Sequence, residues 1–311
     1  MITMPKIRPF EEYTERYENW FEKHRYAYLS EINAIKSVMP QEECVEVGVG
    51  SGRFAEPLGI KLGVEPSKRM AKIAESRGIK VIEGVAEDLP FPDNSLECIL
   101  MVTTICFVDD PEKAIKEAYR VLKPNGHIII GFIDRESKIG REYEKNKDKS
   151  VFYREANFFS TQEIVNLLER NGFKVEKIVQ TLFRRLEEVD SVEPVKEGFG
   201  EGSFVAIRAR KMDAMDFAEK VKGLAERLGE DKLREAIDRF LTLNEGIEKT
   251  RGEHFAKAGI YGFLEGILTT LKLKHEDEEI SELLSLIKKA REIEEAFLRK
   301  GNPPIFEQKP L

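Results

Sequence analysis

With 311 residues, the chain is long enough for one large domain or two ordinary ones, and either would bury a sizeable core. The formal net charge of -7 comes from interleaved acids and bases with no contiguous basic stripe, which disfavours nucleic acid as a partner. Only Cys44, Cys98 and Cys106 are present, without a Cys-x-x-Cys pair, so no disulfide framework, zinc knuckle or iron–sulfur cluster is readable and no metal is expected.

Residues 11 to 38 carry Tyr13, Tyr17, Trp20, Phe21 and Tyr28 at helical spacing, which predicts one or two amphipathic helices ending before Pro40. From 43 to about 134, strand-like runs at 44–48, 60–64, 80–84, 96–102 and 127–133 alternate with helical patterns at 67–78 and 110–126. The second of these presents Ala114, Ala118 and Val121/Leu122 on one face, with Gly126 as its stop. Such alternation predicts a parallel sheet covered on both faces. A charged run at 134–150 reads as a solvated helix and is followed by the aromatic segment 151–160. Ser160 and Glu163 form a capping box for a helix that Gly172 stops. The last strand candidates are 173–183 and 203–210, and the stretch between them, including "EGFGEG", reads as a loop.

At Lys211 the character changes, and from Asp213 to Lys300 only helical periodicity remains, in about four segments. Two domains are therefore expected, 1–211 and 212–311, the second a small all-α module whose tail "GNPPIFEQKP" reads as unfolded or as a docked strap. Gly259, Gly262 and Gly266 are expected to permit close helix approach, through which the module could dimerise, bind a partner or close over the acceptor. No apolar run reaches membrane length and no secretory signal pattern is present, so the expected protein is soluble and cytoplasmic. A charged fraction of 34%, above the average of about 25%, suggests a thermophilic source.

The stretch "CVEVGVGSGRFAEP" (44–57) poses the functional question. A Walker loop needs a Gly-Lys-Ser/Thr ending that is missing, and the dinucleotide fingerprint would place a third glycine at Arg53. What remains is a loop whose backbone can approach a ligand closely, preceded by Glu46, which would repel a pyrophosphate and attract an ammonium.

"VEVGVGSG" is similar to the first motif of class I S-adenosylmethionine-dependent methyltransferases, E/D-x-G-x-G-x-G. "GVEPS", "GVAEDLPFPDNSLECIL", "VLKPNGHIIIG" and "FFSTQEIVNLLERNGF" follow in the order that family shows, over about residues 15–210, in the manner of its type 11 branch. The resemblance implies a Rossmann-like α/β fold, with a seven-stranded mostly parallel sheet and helices on both faces. It implies S-adenosylmethionine as cofactor, with S-adenosylhomocysteine as product. It also implies Glu46 on the ammonium side, directly or through water, and the backbone of Gly48, Gly50 and Gly52 against the methionine moiety. Glu65 with the adjoining Pro66 would take the ribose hydroxyls. Ala86 and Glu87 would bracket the adenine edge and Leu89 would supply apolar contact, and Thr103 at the fourth-strand exit is a further cofactor-binding candidate.

The acceptor is expected over the carboxyl ends of the strands. Tyr17, Trp20, Thr104, Cys106, Phe107, Arg135, Tyr153 and Phe158 are candidates to line that space, and Asp134 and His24 are candidates for a base. An aromatic-lined, lidded pocket suits a small-molecule acceptor, a cationic amine among them, with an N, O or S nucleophile. The sequence leaves open a methyltransferase of tRNA or protein, with the helical module presenting substrate, and a cofactor-sensing interaction protein without turnover.

Overall fold

The computed structural model describes residues 6–301, so the C-terminal tail lies outside the described residues. The chain divides into two compact units, Met1–Lys211 and Met212–Leu311.

The first unit opens with α1 (Arg8–Glu12), α2 (Thr14–Lys23) and α3 (Arg25–Val38). There follow β1 (Cys44–Val47), α4 (Ala55–Leu58), β2 (Leu62–Val64), α5 (Lys68–Ser76), β3 (Lys80–Ile82), β4 (Leu96–Val102), α6 (Pro111–Val121) and β5 (Leu122–Ile133). The unit closes with α7 (Lys138–Asn146), α8 (Thr161–Glu169), β6 (Phe173–Thr181), β7 (Lys196–Glu197) and β8 (Phe204–Lys211). The strands form one sheet in the order β3-β2-β1-β4-β5-β8-β6-β7. Pairing is parallel from β3 to β5, while β8 runs antiparallel to β5 and β6, and β7 antiparallel to β6.

Alternation along the central strands builds the two cores. Ile99 and Met101 on β4 join Ile128 and Ile130 on β5 against Ala114, Ile115 and Ala118 of α6 and Ile164 and Leu168 of α8. The intervening Cys98, Leu100, Val102 and Ile129 face the opposite way, against Ile32, Ile35 and Val38 of α3. A period of two along each strand is what a sheet buried on both faces requires. The strand order reverses direction between β1 and β4, which opens a crevice at their carboxyl ends.

Four details differ from the sequence expectation. The sheet has an eighth strand, the two-residue edge strand β7, in what read as loop. Gly126 lies within β5 and does not stop a helix. α6 ends earlier because Lys123 precedes Pro124, and a residue before proline is pushed out of the α region. Cys44 and Cys98 form a disulfide, although no pairing was readable; they face each other in register across β1 and β4, with Cα atoms 4.3 Å apart. The Ser160–Glu163 capping box is present, and Gly172 follows α8 at φ +87°.

The second unit consists of α9 (Ala214–Arg227), α10 (Asp231–Arg251), α11 (Glu253–Lys274) and α12 (Glu278–Gly301). Phe217, Val221 and Leu224 of α9 share a core with Ile237, Leu264, Leu268, Leu271, Ile280 and Ile287. The α11 glycines are not the sites of tight helix approach that was expected. A Cβ on Gly259 or Gly262 would meet only Asn244 at 3.6 Å or Arg291 at 3.5 Å, ordinary contact distances, and one on Gly266 would meet nothing. Among the described residues no helix is long and apolar enough to cross a membrane.

Candidate functional site

The glycine loop turns back on the sheet as soon as β1 ends. The N–H groups of Gly48 and Val49 both donate to the Val64 carbonyl, at 2.8 and 3.1 Å. Gly48 adopts φ +72°, and a Cβ there would fall 2.4 Å from the Thr104 methyl, so both conformation and packing demand glycine. Thr104 completes this contact by donating its hydroxyl to the Val47 carbonyl at 3.1 Å.

Glu65, at the end of β2, is only 7% exposed. One carboxylate oxygen accepts from the Gly50 N–H at 2.8 Å and the other from the Ser67 N–H at 2.9 Å, which aims the group into the crevice. Burial raises its pKa to about 7 against the pull of those two hydrogen bonds. Glu46 lies behind the loop, buried, and does not line the cavity. Burial and the nearby Glu65 hold its carboxyl well above the usual range, and its Oε2 is buried without a hydrogen-bond partner among the described residues.

A cavity of about 380 Å³ runs from this loop over the carboxyl ends of the strands. Gly48, Gly50, Glu65, Pro66, Ala86, Glu87 and Thr103 line its glycine-loop side. Thr103 holds φ +52° at the exit of β4, a strained conformation fixed by its N–H to the Gly131 carbonyl at 2.7 Å. Glu87 accepts from the Asp109 N–H at 2.7 Å, which ties the segment after β3 to the start of α6. Tyr17, Trp20, Thr104, Cys106, Phe107, Tyr153 and Phe158 line the rest, so the structure brings together every acceptor-side candidate except Arg135.

The remaining candidates serve the scaffold. Gly52 does not reach the cavity: a Cβ there would strike Ile79 at 2.4 Å, so its role is packing against α5 and the start of β3. Leu89 is buried away from the cavity, its N–H donating to Glu117 at 2.9 Å. Asp134 is also outside, its carboxylate accepting from the Glu136 N–H and from the N–H and hydroxyl of Thr161. Those bonds join the end of β5 to the start of α8 and occupy the oxygens a base would need. Arg135 pairs with Glu163 at 2.9 Å. His24 sits at the α2–α3 junction against Trp20, outside the cavity, with its pKa lowered by burial. Cys106 donates to the Thr103 carbonyl at 3.1 Å, and burial pushes its thiol up to about 12, so it is no thiolate.

Sequence reasoning missed two contributions. The first is the part that Phe10, Glu11 and Glu18 play in the cover made by the N-terminal helices. Phe10 packs edge-on against Phe107, with ring centroids 5.0 Å apart, and also against Tyr17 and Phe152. Glu11 accepts from the Ser67 hydroxyl at 2.6 Å, and Glu18 pairs with Arg53 at 2.7 Å and Arg77 at 2.6 Å. The second is Glu31, a buried acid on α3 that lines the cavity.

A methyltransferase-domain family model matches residues 45–130, and a family of proteins of unknown function, DUF3216, matches residues 218–308. A solved structure from Thermotoga maritima is 58% identical, with a TM-score of 0.65; the match covers 66% of this chain and 99% of that one. That protein is described as an S-adenosylmethionine-dependent methyltransferase, possible histamine N-methyltransferase. This chain belongs to the S-adenosylmethionine-dependent methyltransferases. An uncharacterized protein of Methanocaldococcus jannaschii is 52% identical over 65% of this chain and 98% of its own length. An uncharacterized protein of Mycobacterium tuberculosis is 32% identical over 62% of this chain and 70% of its own length.

The methyltransferase family implies S-adenosylmethionine as cofactor, and the donor set fits it. A sulfonium zwitterion needs an acid near its ammonium and an acceptor pair for its ribose diol. Here Glu65 faces the cavity as that acceptor pair, whereas Glu46, with one unpartnered oxygen, lies behind the loop and outside the cavity lining, so it makes no direct contact with the ammonium.

Proposed function

We propose that this methyltransferase acts on a small-molecule acceptor held in the aromatic part of the cavity. The observation that carries the reading is continuity: one cavity joins Gly48, Gly50 and Glu65 to Phe107, Tyr153 and Phe158. Glu65 would bind the ribose, the 48–50 backbone would lie along the methionine chain, and Ala86 and Glu87 would flank the adenine. When bound, S-adenosylmethionine supplies a methyl carbon on a sulfonium, which an acceptor lone pair can take while the carbon–sulfur electron pair stays on sulfur. The chain's own task is then to position and to exclude water. Thr103 and Thr104 shape the passage between the two parts, and the N-terminal helices with Phe10 and Phe152 cover it. An aromatic-lined cavity beneath helical cover favours a small molecule over tRNA or a protein segment.

Titration calorimetry with S-adenosylmethionine, using NAD as control, tests the cofactor side of this reading. Glu65→Ala should weaken binding by about 1.5 to 3 kcal/mol, the scale of hydrogen bonds to a charged group. Unchanged affinity would remove Glu65 from the site. Transfer of labelled methyl groups to small molecules, with tRNA and protein as comparison acceptors, tests the acceptor side.

A further inference from the structure

Glu31 stands on the core-facing stripe of α3, where Ala27, Ala34, Ile35 and Val38 are buried. It lines the cavity and is only 4% exposed. Among the described residues no hydrogen bond or ion pair reaches its carboxyl, and burial alone raises its pKa to about 8. An acid left without a partner in such a place is costly, and a ligand that pairs with it recovers that cost. The same part of the cavity carries an aromatic cluster: Tyr143 and Tyr153 stack with centroids 4.7 Å apart, and Phe158 lies 5.5 Å from Tyr153. A carboxylate beside aromatic faces is a site for an organic cation.

We propose that Glu31 anchors a protonated nitrogen of the methyl acceptor, which is therefore a small organic amine carrying a second, nucleophilic group. The inference rests on the methyltransferase reading given above. A protonated nitrogen has no lone pair to offer, so the nitrogen held by Glu31 is not the atom methylated. The sheet separates the two functions. The proposed cofactor residues follow β1, β2 and β3, whereas α3 packs on β5, β8 and β6. With strands about 4.8 Å apart, β8 lies roughly 14 Å from β1. The Thr103–Thr104 turn follows β4, two strands from β8, so the acceptor spans roughly 10 Å, its cation at the Glu31 end and its lone pair toward that turn.

The test is calorimetry at pH 7.5 with S-adenosylhomocysteine saturating the full-length protein, using matched pairs of probes. Tyramine is compared with 4-ethylphenol, and 2-(2-aminoethyl)pyridine with 2-ethylpyridine; each pair differs by one protonated amine. The cationic member of at least one pair should bind tenfold or more tighter than its twin. Glu31→Gln should erase that preference while leaving S-adenosylhomocysteine affinity unchanged. Should the glutamine variant not fold, Glu31→Asp, which keeps the charge, should retain the preference at reduced affinity. Equal binding within both pairs, survival of the preference in Glu31→Gln, or no binding of either amine by the wild-type protein would overturn the proposal while leaving the methyltransferase reading standing. Failure of S-adenosylhomocysteine itself to bind would bring down both.

Discussion

Two buried acids show how placement decides what a carboxyl can do. Asp134 read as a strand-end base, yet its oxygens are taken up by Thr161 and Glu136, and it holds α8 to the sheet. Glu31 was not singled out in the sequence, yet it occupies the buried stripe Ala27–Glu31–Ala34/Ile35–Val38. The signal for it was present as an acid at an apolar position of a helical period, but which stripe turns inward depends on the sheet beneath. Glu65 was named through the family resemblance of "GVEPS", and it lies where that resemblance implies, just after β2 in the cavity wall. The unpaired state of Glu31 among the described residues has a consequence for stability. Its folded pKa of about 8 lies above the ordinary value of 4.5, so its favourable contribution is complete below 4.5 and is lost as pH rises through 8. Glu31→Gln should therefore gain stability relative to the wild type as pH rises over that window, by at most about 5 kcal/mol at pH 9. Denaturant melts of both proteins at pH 5, 7 and 9 would show it, and a pH-independent difference would mean that Glu31 is solvated or paired.

At the scale of elements, the repeated strand–helix pattern and the capping signals at Ser160 and Gly172 were legible because each is written in a few adjacent residues. Pairings between distant strands were not. The Cys44–Cys98 bond depends on β1 lying beside β4, an order that local patterning does not specify. The bond closes a loop with a sequence separation of 54 residues, for which chain entropy gives about 4 kcal/mol of stabilisation. Both cysteines belong to the opening parts of their strands, whereas the cavity gathers at the carboxyl ends. Reduction should lower the thermal midpoint and leave S-adenosylhomocysteine affinity within twofold, provided the measurement is made below the new transition. A loss of affinity in still-folded reduced protein would show that the bond shapes the site.

At the scale of the molecule, the change in composition near Lys211 coincides with the division into two compact units with separate apolar cores. We propose that residues 1–211 fold alone and bind cofactor; circular dichroism and calorimetry on that fragment test this, and an unfolded fragment would mean that the helices complete its core. Strand order also makes a statement about energetics. Because Glu65, the proposed ribose acid, follows β2 and Glu31, the proposed amine anchor, rides on the helix over β8 and β6, strand spacing sets the two more than about 10 Å apart, a separation at which mutational effects add. Glu65→Ala and Glu31→Gln combined should show free-energy changes that sum to within about 0.5 kcal/mol. Such additivity would let acceptor preference drift, by selection or by design, at no expense to cofactor affinity, so the sheet would serve as an insulator between the two specificities.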